Sequence, residues 1–112
     1  MIGKPRECQE CGDHFAPKRH TQRFCGSKCQ KLFNNRRAVR GAMLYDLFMS
    51  MRNERDKAKD AQVWTKLCRL AQDFKADDDQ ERDGRASWQP LALVLDQHPE
   101  LSVIQSTMKI GR

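Results

Sequence analysis

The sequence predicts a mostly α protein: a small N-terminal module of a knuckle, a short β-hairpin and a helix, followed by a helical hairpin and a helical tail. Three observations carry this. Four cysteines stand in two close pairs, Cys8-Gln-Glu-Cys11 and Cys25-Gly-Ser-Lys-Cys29, with thirteen residues between the pairs. Apolar residues recur at helical spacing from Leu32 to Met51 and again from Val63 to Phe74. Charge is segregated: the stretch from His14 to Tyr45 holds eight Lys and Arg residues and no acid, so it carries all of the net +6.

Composition bounds the rest. Hydrophobic residues make up 38% of the 112 and charged residues 32%, enough for a modest core that benefits from a covalent or metal staple. Met1 to Glu10 has no apolar segment of the secretory type, and no apolar run approaches the ~18 residues of a membrane span. The expectation is a cytoplasmic protein with no membrane partner. Thiols stay reduced in that compartment, which favours a metal over disulfides. Five cysteines would also leave one unpaired.

In chain order, residues 1–7 read as a short leader and Cys8 to Gly12 as the knuckle, with Gly12 at a turn that needs a positive φ or close approach. Phe15–Lys18 and Gln22–Phe24 are the expected hairpin strands. Ser27 is the expected N-cap of a helix whose first turn holds Cys29. Leu32, Val39, Met43 and Leu47 form one row on that helix, with Phe33, Leu44 and Met51 beside it. Gly41 marks a kink, or a break between a finger helix (27–40) and a second helix (42–57).

Val63, Leu67, Leu70 and Phe74 form the next row, flanked by Trp64, Cys68 and Ala71. The two patterns pair as an antiparallel hairpin across a turn near 57–61. The division expected is a finger over 1–40, a helical hairpin over 41–76, a charged solvated linker over 77–86 and a helical tail over 87–112. The tail begins with Ser87-Trp88-Gln89-Pro90 as a cap and continues through Leu91, Val94 and Leu95. Trp64 and Trp88 are expected in the core or between helices, and Cys68 as a buried thiol. Met43, Met49 and Met51 belong to the core or to a homodimer surface on the Met-rich helix.

Two cysteine pairs at this separation wrap a tetrahedral ion, and four thiolates fill its shell. Cys8, Cys11, Cys25 and Cys29 are therefore the expected ligands of a structural Zn2+. Cys25 and Cys29 sit where a helix start offers free N–H groups that favour thiolate. The knuckle, hairpin and helix order, together with Cys8-x2-Cys11-Gly12-x2-Phe15, Arg23-Phe24-Cys25-Gly26-Ser27-Lys28-Cys29-Gln30-Lys31 and Asn34-Asn35-Arg36-Arg37, resembles small bacterial treble-clef zinc-finger proteins. It is similar to the FCS/MYM-type fingers and to the short zinc proteins that inhibit bacterial DNA gyrase. Gly26 stands where those families tend to have serine. The resemblance covers about residues 6–40 and implies a metal-held fold rather than an activity.

His14 and His20 are the alternative ligands of a Cys3His site, but four cysteines already complete the shell. An open catalytic zinc needs a nearby base, as in an H-x-E element, and none adjoins the cysteines. Cys68 has no neighbouring histidine to activate it. The expectation is a non-enzymatic protein.

The acid-free window points to an anionic partner. Lys28, Lys31 and Asn35 share one outward face of the finger helix, and Arg36, Arg37 and Arg40 lie on a second. Lys18, Arg19 and Arg23 come from the hairpin. Such a set suits phosphate contacts, with Asn34, Asn35 and Arg37 in reach of base edges. Nucleic acid, DNA above RNA, is the expected partner of a small regulator. The competing partner is an acidic protein surface, such as that of a topoisomerase, as the gyrase-inhibitor resemblance implies.

Overall fold

The computed structural model describes residues 4–103. Strands β1 (Arg6–Glu7) and β2 (His14–Phe15) pair antiparallel, with Arg6 opposite Phe15 and Glu7 opposite His14. Four helices follow: α1 (Ser27–Asn53), α2 (Arg55–Asp60), α3 (Val63–Arg82) and α4 (Leu91–Gln97), then a 3-10 turn over Pro99–Val103. The class is the expected one, mostly α with a small hairpin and a cysteine cluster near the N-terminus.

The hairpin differs from expectation in position. It brackets the knuckle instead of following it, so part of the supposed leader is β1. Pro17 lacks the N–H that a strand over 15–18 would use, and the 18–24 stretch is held by side chains instead. Gln22 accepts from the Lys18 N–H at 2.7 Å and donates to the Phe24 carbonyl at 2.9 Å. Arg6 donates to the carbonyls of His20 and Gln22 at 2.9 and 2.6 Å.

Helix α1 runs through Gly41 without a break, and Gly26, not Ser27, is its N-cap, with extended backbone and no side-chain cap. Packing on both sides of Gly41 holds the helix straight: Phe33 is 2% exposed towards the knuckle, and Leu44, Leu47 and Met51 pack on α2 and α3. The turn expected near 57–61 contains α2, whose Ala58 is buried.

Two small apolar clusters result. One is Cys8, Phe24 and Phe33, with Phe15 and Cys29 against it; the Phe24 and Phe33 rings are tilted at a centroid distance of 5.0 Å. The other is Ala58, Val63 and Leu67 beneath Leu44, Leu47 and Met51. With Met51 and Leu47 near Val63 and Leu67, and Arg40 bonded to Asp78, α3 runs antiparallel to α1, as expected of a helical hairpin.

The charged linker expected over 77–86 is a correction. Helix α3 continues to Arg82. Its inward row passes from Leu67 two turns on to Phe74 and then in one-turn steps to Asp78 and Arg82, and Asp78 is 1% exposed. Asp78 accepts from Arg40 at 2.9 Å, from Arg82, from the Ser87 N–H at 3.0 Å and from the Ser87 hydroxyl at 3.1 Å. Apolar periodicity stops at Phe74 because the buried positions beyond it are ionic. Burial pushes the Asp78 carboxyl up, but Arg82, Arg40 and Ser87 outweigh it and hold it below its ordinary value.

Other corrections concern exposure. Leu32, Val39 and Met43 are on the surface, as are Trp64 and Trp88, because α1 packs through the Phe33, Leu44 and Met51 side instead. Cys68 is exposed. Helix α4 packs on the 3-10 turn and on no other described element. The part of the expected tail beyond residue 103 lies outside the described residues.

Replacing Asp78 by Asn leaves Arg40 and Arg82 without their carboxylate and should cost about 3–5 kcal/mol in urea unfolding. A carboxyl held low in the fold stabilises above its unfolded pKa of about 3.9 and loses that contribution as pH falls through the folded value. The wild type should therefore weaken in acid below roughly pH 4, and Asp78→Asn should flatten that dependence. Gly41→Ala should do the opposite of harm: nothing lies within 4 Å of the added Cβ, so the helix should gain about 1 kcal/mol in the same measurement.

Candidate metal centre

The knuckle is built by its own backbone. Cys8 N–H donates to the Asp13 carbonyl at 2.8 Å, and Gly12 N–H donates to the Cys8 carbonyl at 3.0 Å. Gly12 has φ +84, and a Cβ there would lie 2.6 Å from Nη1 of Arg85. The positive φ favours glycine, and an added Cβ would push the Arg85 guanidinium aside. Gln9 N–H reaches the Arg23 carbonyl at 2.9 Å, which brings the 23–25 stretch, and with it the second cysteine pair, onto the knuckle.

The four sulfurs converge as expected from the spacing. Sγ of Cys8, Cys11, Cys25 and Cys29 all lie within 4.8 Å of one another. Cys11 and Cys25 are 3.8 Å apart and Cys25 and Cys29 are 3.6 Å apart. A tetrahedral ion with metal–sulfur bonds of about 2.3 Å needs edges of about 3.8 Å. The donor set therefore fits one metal ion. No histidine belongs to this group.

Charge in the cluster is graded. Burial pushes the Cys8 thiol up, but backbone N–H groups of Cys11, Cys25 and Glu10 bring it down to about 6; the Cys25 N–H lies 3.3 Å from its sulfur. Cys25 is drawn down by Cys29 but left raised by the Cys11 and Cys8 sulfurs. Burial and the three neighbouring sulfurs raise Cys29. The second pair keeps its protons until a cation neutralises the crowding.

Around the cluster, the arginines of α1 have internal partners. Arg36 pairs with Glu10, its Nη1 at 2.8 Å from Oε1, and its guanidinium lies over Phe33 at 5.7 Å. Arg37 donates to the Ser87 carbonyl. Arg40 binds Asp78 and lies over Phe74 at 4.8 Å. These three were expected on an outward, nucleic-acid-facing surface. Arg36 and Arg40 instead form a half-buried polar layer between the two apolar clusters, and Arg37, itself exposed, turns to the Ser87 carbonyl. Arg23 stays exposed while its guanidinium rests over Phe24 and Phe33 at 5.4 and 5.5 Å. Lys18, Arg19, Lys28, Lys31 and Asn35 are exposed.

Sequence reasoning missed the residues that complete this layer. Glu10, Asp78 and Ser87 receive the arginines. Gln9 donates to the Ala86 carbonyl at 3.0 Å and Arg85 to the Glu10 carbonyl at 3.2 Å, so the 85–87 segment is fastened to the knuckle. The one available signal was complementarity: an acid-free helix and an acid-rich stretch in a short chain need each other. Among the described residues, no helix is long and apolar enough to cross a membrane.

Compared with known proteins, the chain matches no protein-family model, no curated protein and no solved structure.

Loading the metal-free protein with Zn2+ at neutral pH should release at least about two protons per ion, from Cys25 and Cys29. Cys8, at about 6, contributes only a fraction of a proton there. An indicator dye in weak buffer reads this directly, and release of less than about one proton would contradict four-thiolate ligation.

Proposed function

We propose that this chain is a zinc-stapled, non-enzymatic nucleic-acid-binding module of treble-clef type, with DNA as the favoured partner. Four thiolates at tetrahedral spacing suit Zn2+ as a closed structural site. Cys8, Cys11, Cys25 and Cys29 would hold it, and the ion would supply stability, with no coordination position left for substrate.

The observation that carries the nucleic-acid reading is the distribution of cations left over once the internal pairs are made. Lys18, Arg19 and Arg23 come from the loop before α1, and Lys28, Lys31 and Asn35 from its first turns; all are exposed. Between loop and helix lies an open cavity of about 390 Å³, lined among others by Arg19, Arg23, Ser27 and Gln30. Helix α1 has no acid in its first turn and no side-chain cap, so its free N–H groups add to the positive potential. Cations converging on one end of a rigid helix suit phosphate oxygens, with Asn35 in reach of a base edge. Arg36, Arg37 and Arg40 serve this surface by holding α1 in place.

A second reading has a specific observation behind it. Trp88, Leu91 and Leu95 are 51%, 72% and 50% exposed, which suits a protein partner. In that reading the basic end docks on an acidic surface such as that of a topoisomerase.

Duplex and single-stranded DNA titrated over salt distinguish the two. Binding at about 50 mM salt should weaken with a log–log slope of about −0.9 for each phosphate contacted on duplex. Joint replacement of Lys18, Arg19 and Lys28 by Ala should reduce that slope by up to about 3 while zinc content stays at one equivalent. Absence of binding at low salt, or an unchanged slope in the triple variant, overturns the reading.

A further inference from the structure

A second cavity, wider than the one beside the loop, lies at the far end of α1, where α1, α2 and α3 meet. It has a volume of about 1180 Å³, and Met51, Arg52, Arg55, Lys59, Val63 and Trp64 are among the residues that line it. Helix α1 has 27 residues and is about 40 Å long, so this cavity is remote from the cysteines. None of Lys18, Arg19, Arg23, Lys28, Lys31 and Asn35 lines it.

Its floor is apolar and its wall holds an uncovered aromatic residue. Ala58 and Val63 are each 6% exposed, at the centre of the second apolar cluster, with Met51 packed against them. Trp64, next to Val63 on α3, is 60% exposed. Among the described residues, no cation and no other ring lies over the Trp64 indole. The packing of this chain leaves that ring unused, and it is open to a flat ligand.

The charges around the cavity select the ligand. Four cations line it, Arg52, Arg55, Lys57 and Lys59, against two acids, Glu54 and Asp56. Glu54 is taken by Lys57 at 3.7 Å. Arg52, Arg55 and Lys59 are exposed and make no ion pair among the described residues. An aromatic ring beside unpaired cations is complementary to a ligand with a flat ring and a phosphate. A single strand of nucleic acid offers both at every nucleotide, whereas a duplex hides its base faces in the stack. Pockets that enclose a small molecule have volumes of about 300–1,000 Å³; this cavity is wider and open, a shape that suits a strand laid across it.

We propose that this cavity is a stacking site for unpaired bases of a single-stranded nucleic acid, with Trp64 against a base and Arg52, Arg55 and Lys59 on the flanking phosphates. The site has its own cations, so it does not rest on the surface at the start of α1.

Trp64 itself is the reporter. Of the two tryptophans in the chain, Trp88→Phe leaves only this one. In the zinc-loaded Trp88→Phe protein, an oligothymidylate of about eight nucleotides at about 50 mM salt should quench Trp64 emission. Trp64→Ala, at an exposed position, should weaken binding of a labelled strand about tenfold with an unchanged helical circular dichroism spectrum, and Trp64→Phe should recover most of the loss. Joint replacement of Arg52, Arg55 and Lys59 by Ala should lower the salt slope for the strand by up to about 2. Joint replacement of Lys18, Arg19 and Lys28 by Ala should leave the quench at saturation in place, which separates this site from the other surface. The proposal is overturned by absence of quenching, by strand binding indifferent to Trp64→Ala, or by a quench lost in the Lys18, Arg19 and Lys28 variant. Equal quenching by a duplex of the same length overturns it too, as does equal affinity for thymidine monophosphate, the mark of a free-nucleotide pocket. Equal quenching by polyglutamate would mean that charge alone is recognised, and would likewise sink it.

Discussion

Asp78 is the point at which the rest of this small fold is tied together. Its carboxylate lies in the interior with two guanidinium groups and both donors of Ser87 on its oxygens, and it joins three segments of the chain. Arg40 belongs to the long first helix, Arg82 to the third, and Ser87 to the segment that returns to the knuckle. Taking a carboxylate out of water is costly, and the cost is offset only where charge and hydrogen bonds saturate it. Here they do, and so the geometry of all three segments is specified together. Removing the carboxylate would leave Arg40 without its counter-charge and Arg82 with only the exposed Glu81.

The arginine layer explains how a chain with little apolar material holds a 27-residue helix at a defined place. Each apolar cluster is built on three buried residues, too few to orient α1 alone. Between them, Arg36, Arg37 and Arg40 project to Glu10, the Ser87 carbonyl and Asp78, and their planar groups also cover Phe33 and Phe74. Arginine suits this position because it satisfies carboxylates and carbonyls while presenting a weakly hydrated face to an aromatic ring.

The same layer fastens the cysteine-bearing knuckle to the helical part. Glu10 lies between the two knuckle cysteines, its side chain on Arg36 and its carbonyl on Arg85; Gln9 beside it reaches Ala86. Gly12 leaves room for Arg85 to pass. Ordering the sulfurs and seating the 85–87 segment are therefore one structural event. Within the acid-free window, internal pairing also narrows the free cations to those around the start of α1, a more localised surface than its eight cations suggest.

The sequence by itself determined the cysteine cluster, the mostly helical class, the antiparallel pairing of α1 with α3 and the concentration of positive charge near the cysteines. These are legible because each rests on local spacing: two cysteine pairs, a helical apolar period, a run without acids. Tertiary structure alone decided that α3 extends through the acidic stretch to Arg82, that Gly41 does not break α1, that the hairpin brackets the knuckle, and that Arg36, Arg37 and Arg40 are engaged by Glu10, Ser87 and Asp78. For the three arginines the deciding partner is distant in the chain, up to fifty residues for Arg37 and Ser87. A charged residue at helical spacing reads as solvated until its counter-charge is found, and only the fold brings the two together.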